Sequence, residues 1–413
     1  MPGLRTLIIL GTLLATFLAF LLGERYVLAS RLGRITLRIA VTGTRGKSSV
    51  TRLIAGALRE AGRRVVAKTT GSAARIILPD GGEQEVLRSG PASILEQKAL
   101  LRLARRLEAE AVVAEMMSIS PECLRAESQK LLRPGVVVLT NVRVDHREEE
   151  GRSREEIARS LAPAIGPGCV AFVPESDRFA AFEERAARAG ARIVLVPGSG
   201  RSSDEAALIE RFEFAENIRL ALAVTDFLGI PRPVAIRGMN DSRPDLGHLE
   251  AVEAKLGEPP VPWTLISAFA ANDPESSRRV VEKVRASYPR SRDRMRAVLN
   301  LRDDRGDRTL QWLDSIRGGF FEGFESLLLV GSRSVPALER KAAGLARVQG
   351  APARVAVSSE TLPEKVTRLL TSSEGRAGWA DGLVIGLGNM GGLGERLKAH
   401  WESIGERREH GLG

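Results

Sequence analysis

The chain has 413 residues, a formal net charge of +10 and only 4 % aromatic side chains. That length suits two or three domains, and two cysteines, Cys123 and Cys169, exclude a disulfide scaffold or a Cys-rich zinc module. Four histidines (His146, His248, His400 and His410) leave little for a His-rich metal site, while the basic surplus, almost all arginine, suits an anionic membrane face, nucleic acid or an acidic small substrate. The scarcity of aromatics argues against a base-stacking single-strand binder. Residues 6–23 contain no charge, and at 1.5 Å per residue they span roughly 27 Å, enough for a bilayer core. Arg5 precedes the run; Arg25, Arg31 and Arg34 follow it, against only Glu24. This asymmetry predicts a single membrane anchor at residues 1–30, with the rest of the chain cytoplasmic. A cleaved signal peptide ending near residues 27–29 and a buried core helix are the competing readings.

Residues 37–42 (LRIAVT) form a strand candidate that runs into Gly43, Thr44, Arg45, Gly46, Lys47, Ser48 and Ser49. The next stretch has apolar residues at 50, 53, 54, 57 and 58, a helical face. Strand, glycine loop with Lys-Ser, then helix is a phosphate-binding arrangement. Glycines bring backbone N–H groups close to a phosphate, and the helix start adds its positive dipole end. Lys47 would reach the β- and γ-phosphates and the Ser48 hydroxyl would ligate Mg²⁺. Val41 stands where longer loops carry a further glycine, so this is the short G-T-x-G-K-S form.

Three more valine-rich runs follow, as doubly buried parallel strands require. They end at Lys68, Thr69 and Thr70; at Glu115; and at Asn141, followed by Asp145 and His146. Ligands bind at the carboxyl edge of open α/β sheets, so these residues can converge with Lys47 and Ser48. Glu115 is a candidate metal ligand through oxygen, and His146 a further ligand or a phosphate partner. From about residue 262 strand and helix patterns alternate again, a Rossmann-like layout. The run 386–392 (GLGNMGG) reads as a tight turn facing ligand rather than as a dinucleotide fingerprint.

GTRGKSS, AEMMS and TNVRVDH, in that order, resemble the successive motifs of the Mur ligase superfamily. ENIRLALAV, with Asn217, resembles its adenine-side segment. AANDP, with Asn272, and NLRDDRGDR, with Asp304 and Arg308, resemble the segments that open its C-terminal domain. Within the superfamily the likeness points to the ligase subunit of poly-γ-glutamate synthases (the PgsB/CapB type): a membrane segment, GxRGKS, KTTGxxAR, EQK, FAAND, DRxDRT and GLGNMGG all occur in order.

The resemblance implies an α/β fold: a P-loop-containing Mur-ligase-like central domain over 31–245 and a Rossmann-like C-terminal domain over 246–413, with the site in the cleft between them. It implies ATP and Mg²⁺ as cofactors. Lys47, His146 and Asp145 would be catalytic, and Ser48, Glu115 and His146 would hold metal. The loop residues 43–49 with Asn141, Asn217, Asn272, Asp304 and Arg308 would bind nucleotide, and Lys68, Thr69 and Thr70 would meet substrate. The implied activity makes an acyl phosphate on a γ-carboxylate and joins glutamate units into poly-γ-glutamate. Glutamate, the growing chain and other membrane subunits are the implied partners. Nucleic acid is not among them, and a homo-oligomer stays open. Two alternatives remain: a Mur-like ligase acting on a folate or a peptide, and a membrane-tethered nucleotide-binding subunit without catalysis.

Overall fold

The computed structural model describes residues 2–70, 74–88, 90–118, 120–143, 153–198, 214–243, 250–257, 260–269, 271, 273–288, 295–301, 306–330, 354–372 and 382–407. The chain divides into two compact units, the first ending at Arg243 and the second continuing from Pro244.

The first unit opens with helix α1 (Pro2–Arg34). Its residues 6–27 are exposed. Thr12 and Thr16 donate their hydroxyls one turn back, to the Ile8 and Thr12 carbonyls at 2.8 Å, so neither polar group in the apolar run is bare. The end of the helix behaves differently: Leu32 and, just beyond it, Ile35 enter the core, and Leu28 packs against it.

Eight strands form the first sheet, in the order β4-β3-β2-β5-β1-β6-β7-β8. They are β1 (Leu37–Thr42), β2 (Val65–Lys68), β3 (Arg75–Ile77), β4 (Glu83–Glu85), β5 (Ala111–Glu115), β6 (Val136–Leu139), β7 (Val170–Pro174) and β8 (Arg192–Val196). From β2 to β8 all pairings are parallel. Residues on β2, β5 and β6 are buried on both faces, which is why they read as unbroken apolar runs. Antiparallel β3 and β4 close one edge with short strands rich in charge, a device that discourages edge-to-edge pairing.

Helices α3 (Glu96–Arg106), α4 (Pro121–Arg125), α5 (Arg154–Leu161) and α6 (Ala180–Ala189) cover one face, together with the end of α1. Between α4 and β6 the chain makes a π-helical turn, Ala126–Leu132. The other face carries α2 (Lys47–Glu60), α7 (Ala215–Phe227) and α8 (Arg232–Asp241). Where α2 crosses α8, Gly56 meets Gly238. A Cβ on either residue would overlap the other's carbonyl oxygen, so both positions require the absence of a side chain.

The second unit is built on a seven-stranded sheet, in the order β13-β12-β11-β14-β10-β9-β15. Its strands are β9 (Glu250–Leu256), β10 (Val261–Ser267), β11 (Met295–Asn300), β12 (Ser326–Val330), β13 (Arg354–Ser358), β14 (Gly382–Gly388) and β15 (Glu406–Arg407). The five from β13 to β10 are parallel, while β9 and β15 pair antiparallel. Helices α9 (Pro274–Ser287) and α10 (Gly306–Arg317) bury Val280, Val284, Trp312 and Ile316 in one core. On the other side α11 (Pro363–Thr371) and α12 (Leu393–Ile404) bury Val366, Leu370, Leu397 and Trp401. The run 386–392 is a packing device in its strand half. A Cβ on Gly386 would overlap the Phe269 ring, and Gly388, at φ +89°, lies against the Asn300 carbonyl. Asn300 Nδ2 donates to the Asn389 carbonyl (2.6 Å) and Asn389 Nδ2 returns a bond to the Asn300 carbonyl (3.2 Å), clasping β11 to the end of β14.

Candidate active site around the phosphate loop

Strand order decides which residues flank the loop. β1 lies between β5 and β6, with Val41 level with Glu115 and Thr42 level with Leu139. The chain leaving β1 therefore passes between Glu115 on one side and residues 140–143 on the other. Gly43 takes φ +126°, and a side chain there would also strike Thr140, so the position requires glycine on both counts. Asn141 clamps the loop: its Oδ1 accepts from Arg45 N, its Nδ2 donates to the Arg45 carbonyl, and its own carbonyl accepts from Thr44 N, each at 3.0 Å. The Thr44 hydroxyl donates to the Arg143 carbonyl (3.3 Å) and accepts from Arg143 N (3.1 Å). Asn141 and Thr44 thus shape the loop through backbone contacts.

Gly46 caps α2 at φ +79° and, having no side chain, offers the first-turn N–H groups no cap bond of its own. Asn217, on the first turn of α7 and 3 % exposed, fills the space where a Cβ of residue 46 would stand. Lys47 folds back, its Nζ donating to the Gly43 (2.7 Å) and Thr44 (3.1 Å) carbonyls. An anion in the loop would replace those neutral acceptors with a charged one.

Ser48 Oγ donates to Glu115 Oε2 at 2.7 Å. The same carboxylate accepts from Thr70 N (2.8 Å) and the Thr70 hydroxyl (2.6 Å). Glu115 is 3 % exposed, and no cationic side chain among the described residues pairs with it. A buried carboxylate held only by neutral donors, beside the hydroxyl that follows the loop lysine, is a hard oxygen pair suited to a divalent cation. Among the described residues no cluster of three or more His, Cys, Asp or Glu side chains adds to it.

The neighbouring positions are buried. Lys68 is 1 % exposed, its Nζ 3.0 Å from Glu96 Oε2. Arg88 also holds Glu96, at 2.9 and 3.3 Å. Burial pushes the Glu96 carboxyl up, but hydrogen bonds from Arg88 and Lys68, the Lys68 charge and the Ser93 N–H pull it down, to about 2. Thr69 is fully buried, its hydroxyl accepting from Arg75 N at 3.2 Å.

Two further carboxylates support the site. Glu127, fully buried in the π-helical turn, accepts from Gln97 Nε2 (2.7 Å), Met117 N (3.3 Å), Ser118 N (3.2 Å) and the Ser118 hydroxyl (2.6 Å), and so ties down the loop that follows Glu115. Glu216 pairs with Arg143 at 2.7 Å. Asp145, His146, Asn272 and Asp304 lie outside the described residues; Arg308 falls in α10 but its side chain is not described. Asp273 caps α9, its Oδ1 accepting from Ser276 N at 2.9 Å. A surface cavity of about 340 Å³, lined by Arg125, Arg159, Arg185 and Arg188 together with Glu155 and Glu184, lies on the α4–α6 layer, on the sheet face opposite α2.

Residues 41–230 match the Mur ligase middle domain, and residues 255–404 match the poly-γ-glutamate synthase CapB C-terminal domain. The PGA synthase CapB of Bacillus subtilis (strain 168) is 32 % identical over 305 residues, 73 % of this chain and 76 % of that protein. The chain belongs to the CapB family of Mur-type ligases. The capsule biosynthesis protein CapB of Bacillus anthracis is 31 % identical over 312 residues, covering 75 % of this chain and 66 % of that relative. The fold is that of the Yersinia pestis bifunctional folylpolyglutamate synthase/dihydrofolate synthase, crystallised with AMPPNP and a Mn ion. That match has a TM-score of 0.63 at 20 % identity and covers 91 % of this chain and 93 % of the other. The expected α/β architecture of two sheet-based units, with one apolar N-terminal helix, is the observed one.

Proposed function

We propose that this CapB-family chain is an ATP-dependent amide ligase that extends poly-γ-glutamate, anchored to the membrane by α1. The observation that carries the reading is the loop itself: Lys47, the glycine-capped start of α2, and the Ser48–Glu115 oxygen pair with no cationic partner among the described residues.

A carboxylate is a poor electrophile, so it must be activated before an amine can attack. An oxygen of the γ-carboxylate forms a bond to the γ-phosphorus of ATP as the bond to ADP breaks. The incoming amine then attacks the acyl carbon of that acyl phosphate, inorganic phosphate leaves, and the amine loses a proton. Loop N–H groups and the start of α2 would bind the phosphates. Lys47 would move from the Gly43 and Thr44 carbonyls to the phosphoryl oxygens and offset charge as it is transferred. Ser48 and Glu115 would hold Mg²⁺, which when bound supplies further charge neutralisation. Asn141 and Asn217 would keep the loop in its binding shape. Asp145 and His146 stay candidates for catalysis, His146 also for metal, and Asn272, Asp304 and Arg308 for the nucleotide, on the strength of the family motifs. Glutamate, the growing chain and further membrane subunits are the proposed partners.

The test is ATP turnover by membranes that contain the chain, with and without glutamate, followed by analysis of the product. Glutamate-dependent ADP release with a γ-linked polymer is the expected result. Lys47→Ala should lower turnover on the order of 10²–10³-fold while membrane attachment and melting temperature are kept. Turnover in that variant equal to wild type would sink the assignment.

A further inference from the structure

Helix α3 fixes directions in the first unit. Its Leu95 end lies at the carboxyl ends of the strands, where Glu96 meets Lys68 of β2 and Gln97 Nε2 reaches the Glu115 carbonyl of β5 (3.3 Å). Its Arg106 end lies toward the amino ends, where Leu37 N donates to the Glu110 carbonyl (3.1 Å). Helix α1 runs beside it. Glu24 pairs with Lys98 in the first turn of α3, while the Leu32 carbonyl accepts from Arg38 at the start of β1 (3.0 Å). Residues 24–34 therefore descend from the carboxyl edge of the sheet to its amino edge. The helix is unbroken, so residues 6–23 continue the other way, roughly 27 Å past the carboxyl edge.

That same edge exposes large apolar side chains. Leu87, which follows the end of β4, is 89 % exposed, and Leu95, which caps α3, is 56 % exposed. Arg25 is exposed beside Glu24, at the same level. We infer that the carboxyl edge of the first sheet, at β2, β4 and α3, seats on the lipid surface. Leu87 and Leu95 dip into the headgroup boundary and Arg25 meets anionic headgroups. The phosphate loop belongs to this edge, so the nascent polymer is made facing the membrane rather than away from it. The inference rests on α1 being the anchor.

The full-length chain tests it in nanodiscs of phosphatidylcholine and phosphatidylglycerol that carry a doxyl-labelled lipid. Cys169 is buried and exposed Cys123 is replaced by Cys123→Ser, so single cysteines can be labelled with bimane. The sites are Leu87→Cys, Leu95→Cys and Arg106→Cys, the last about 16 Å further along α3 than Leu95. Quenching at 87 and 95 should exceed that at 106 by about threefold or more, given an interfacial layer only about 5–10 Å deep. Equal quenching at all three sites, or more at 106, overturns the orientation. Flotation of the same chain with lipid vesicles separates the failures. A chain that does not float removes the anchor and this inference together; one that floats without the 95-over-106 difference removes only this inference.

Discussion

Glu115 holds the charge on which the site turns. It is buried, accepts three neutral hydrogen bonds and has no cationic partner among the described residues. Burying a carboxylate without a counter-charge costs desolvation free energy that a neutral amide does not. We therefore expect Glu115→Gln to keep or raise the melting temperature of the metal-free protein and to weaken divalent-ion-dependent ATP binding at least about tenfold. Titration calorimetry with and without Mg²⁺ measures this, and unchanged metal dependence would refute the ligand role. Glu96 makes a pH prediction. Its folded pKa, about 2, lies below its ordinary value of 4.5. The stability it lends is therefore complete above about pH 4.5 and lost as pH falls toward 2. Acid unfolding of Glu96→Gln should be less steep over that window than that of the wild type, followed by circular dichroism. At this scale the sequence was partly legible. Lys47, Ser48 and Glu115 stood out because glycine spacing and strand ends mark them. Lys68 and Thr69 carried motif resemblance but are buried in the scaffold, and Glu127 carried no signal, because its partners Gln97 and Ser118 meet it only after folding.

Helix α2 links the core to the chemistry. Its first residues are Lys47 and Ser48, and its middle is pressed against α8 through Gly56 and Gly238. A methyl group on Gly56 would overlap the Gly238 carbonyl, so Gly56→Ala must push the two helices apart. Overpacking of this kind costs about 1–3 kcal/mol, which should appear as a lower denaturant midpoint. The displaced α2 should also raise the ATP dissociation constant, although residue 56 is about two and a half turns from the loop. A variant with both properties unchanged would show that the crossing can relax. Strands β1, β2, β5, β6 and β10 to β14 and helices α2, α3, α9 and α10 were readable from apolar runs and helical periodicity, whereas β7 and β8 were not singled out. The short β3–β4 hairpin and antiparallel β9 and β15 were not, since short or polar edge strands lack that pattern.

At the scale of the whole molecule, α1 has two parts with different duties. Residues 6–27 are exposed, whereas Leu32 belongs to the core of the first unit and Leu28 packs against it. Deleting residues 2–23 should move the protein to the soluble fraction with its melting temperature kept. Deleting residues 2–34 removes buried Leu32, worth about 1.5–3 kcal/mol, and should lower the melting temperature as well. Fractionation and thermal melts of both truncations check this; equal stability of the two would refute the division. The sequence by itself determined the local matters: an apolar helix, the loop that follows β1, valine strands ending in polar residues, and the motifs that place the chain among the Mur-type ligases. These are set by spacing within a few residues. The tertiary structure alone decided that β1 inserts between β5 and β6, so that Glu115 and Asn141 stand on opposite sides of one loop. It also decided that α1 descends along α3. Strand order and helix docking depend on which apolar faces bury each other across long stretches of chain, and no local pattern specifies that choice.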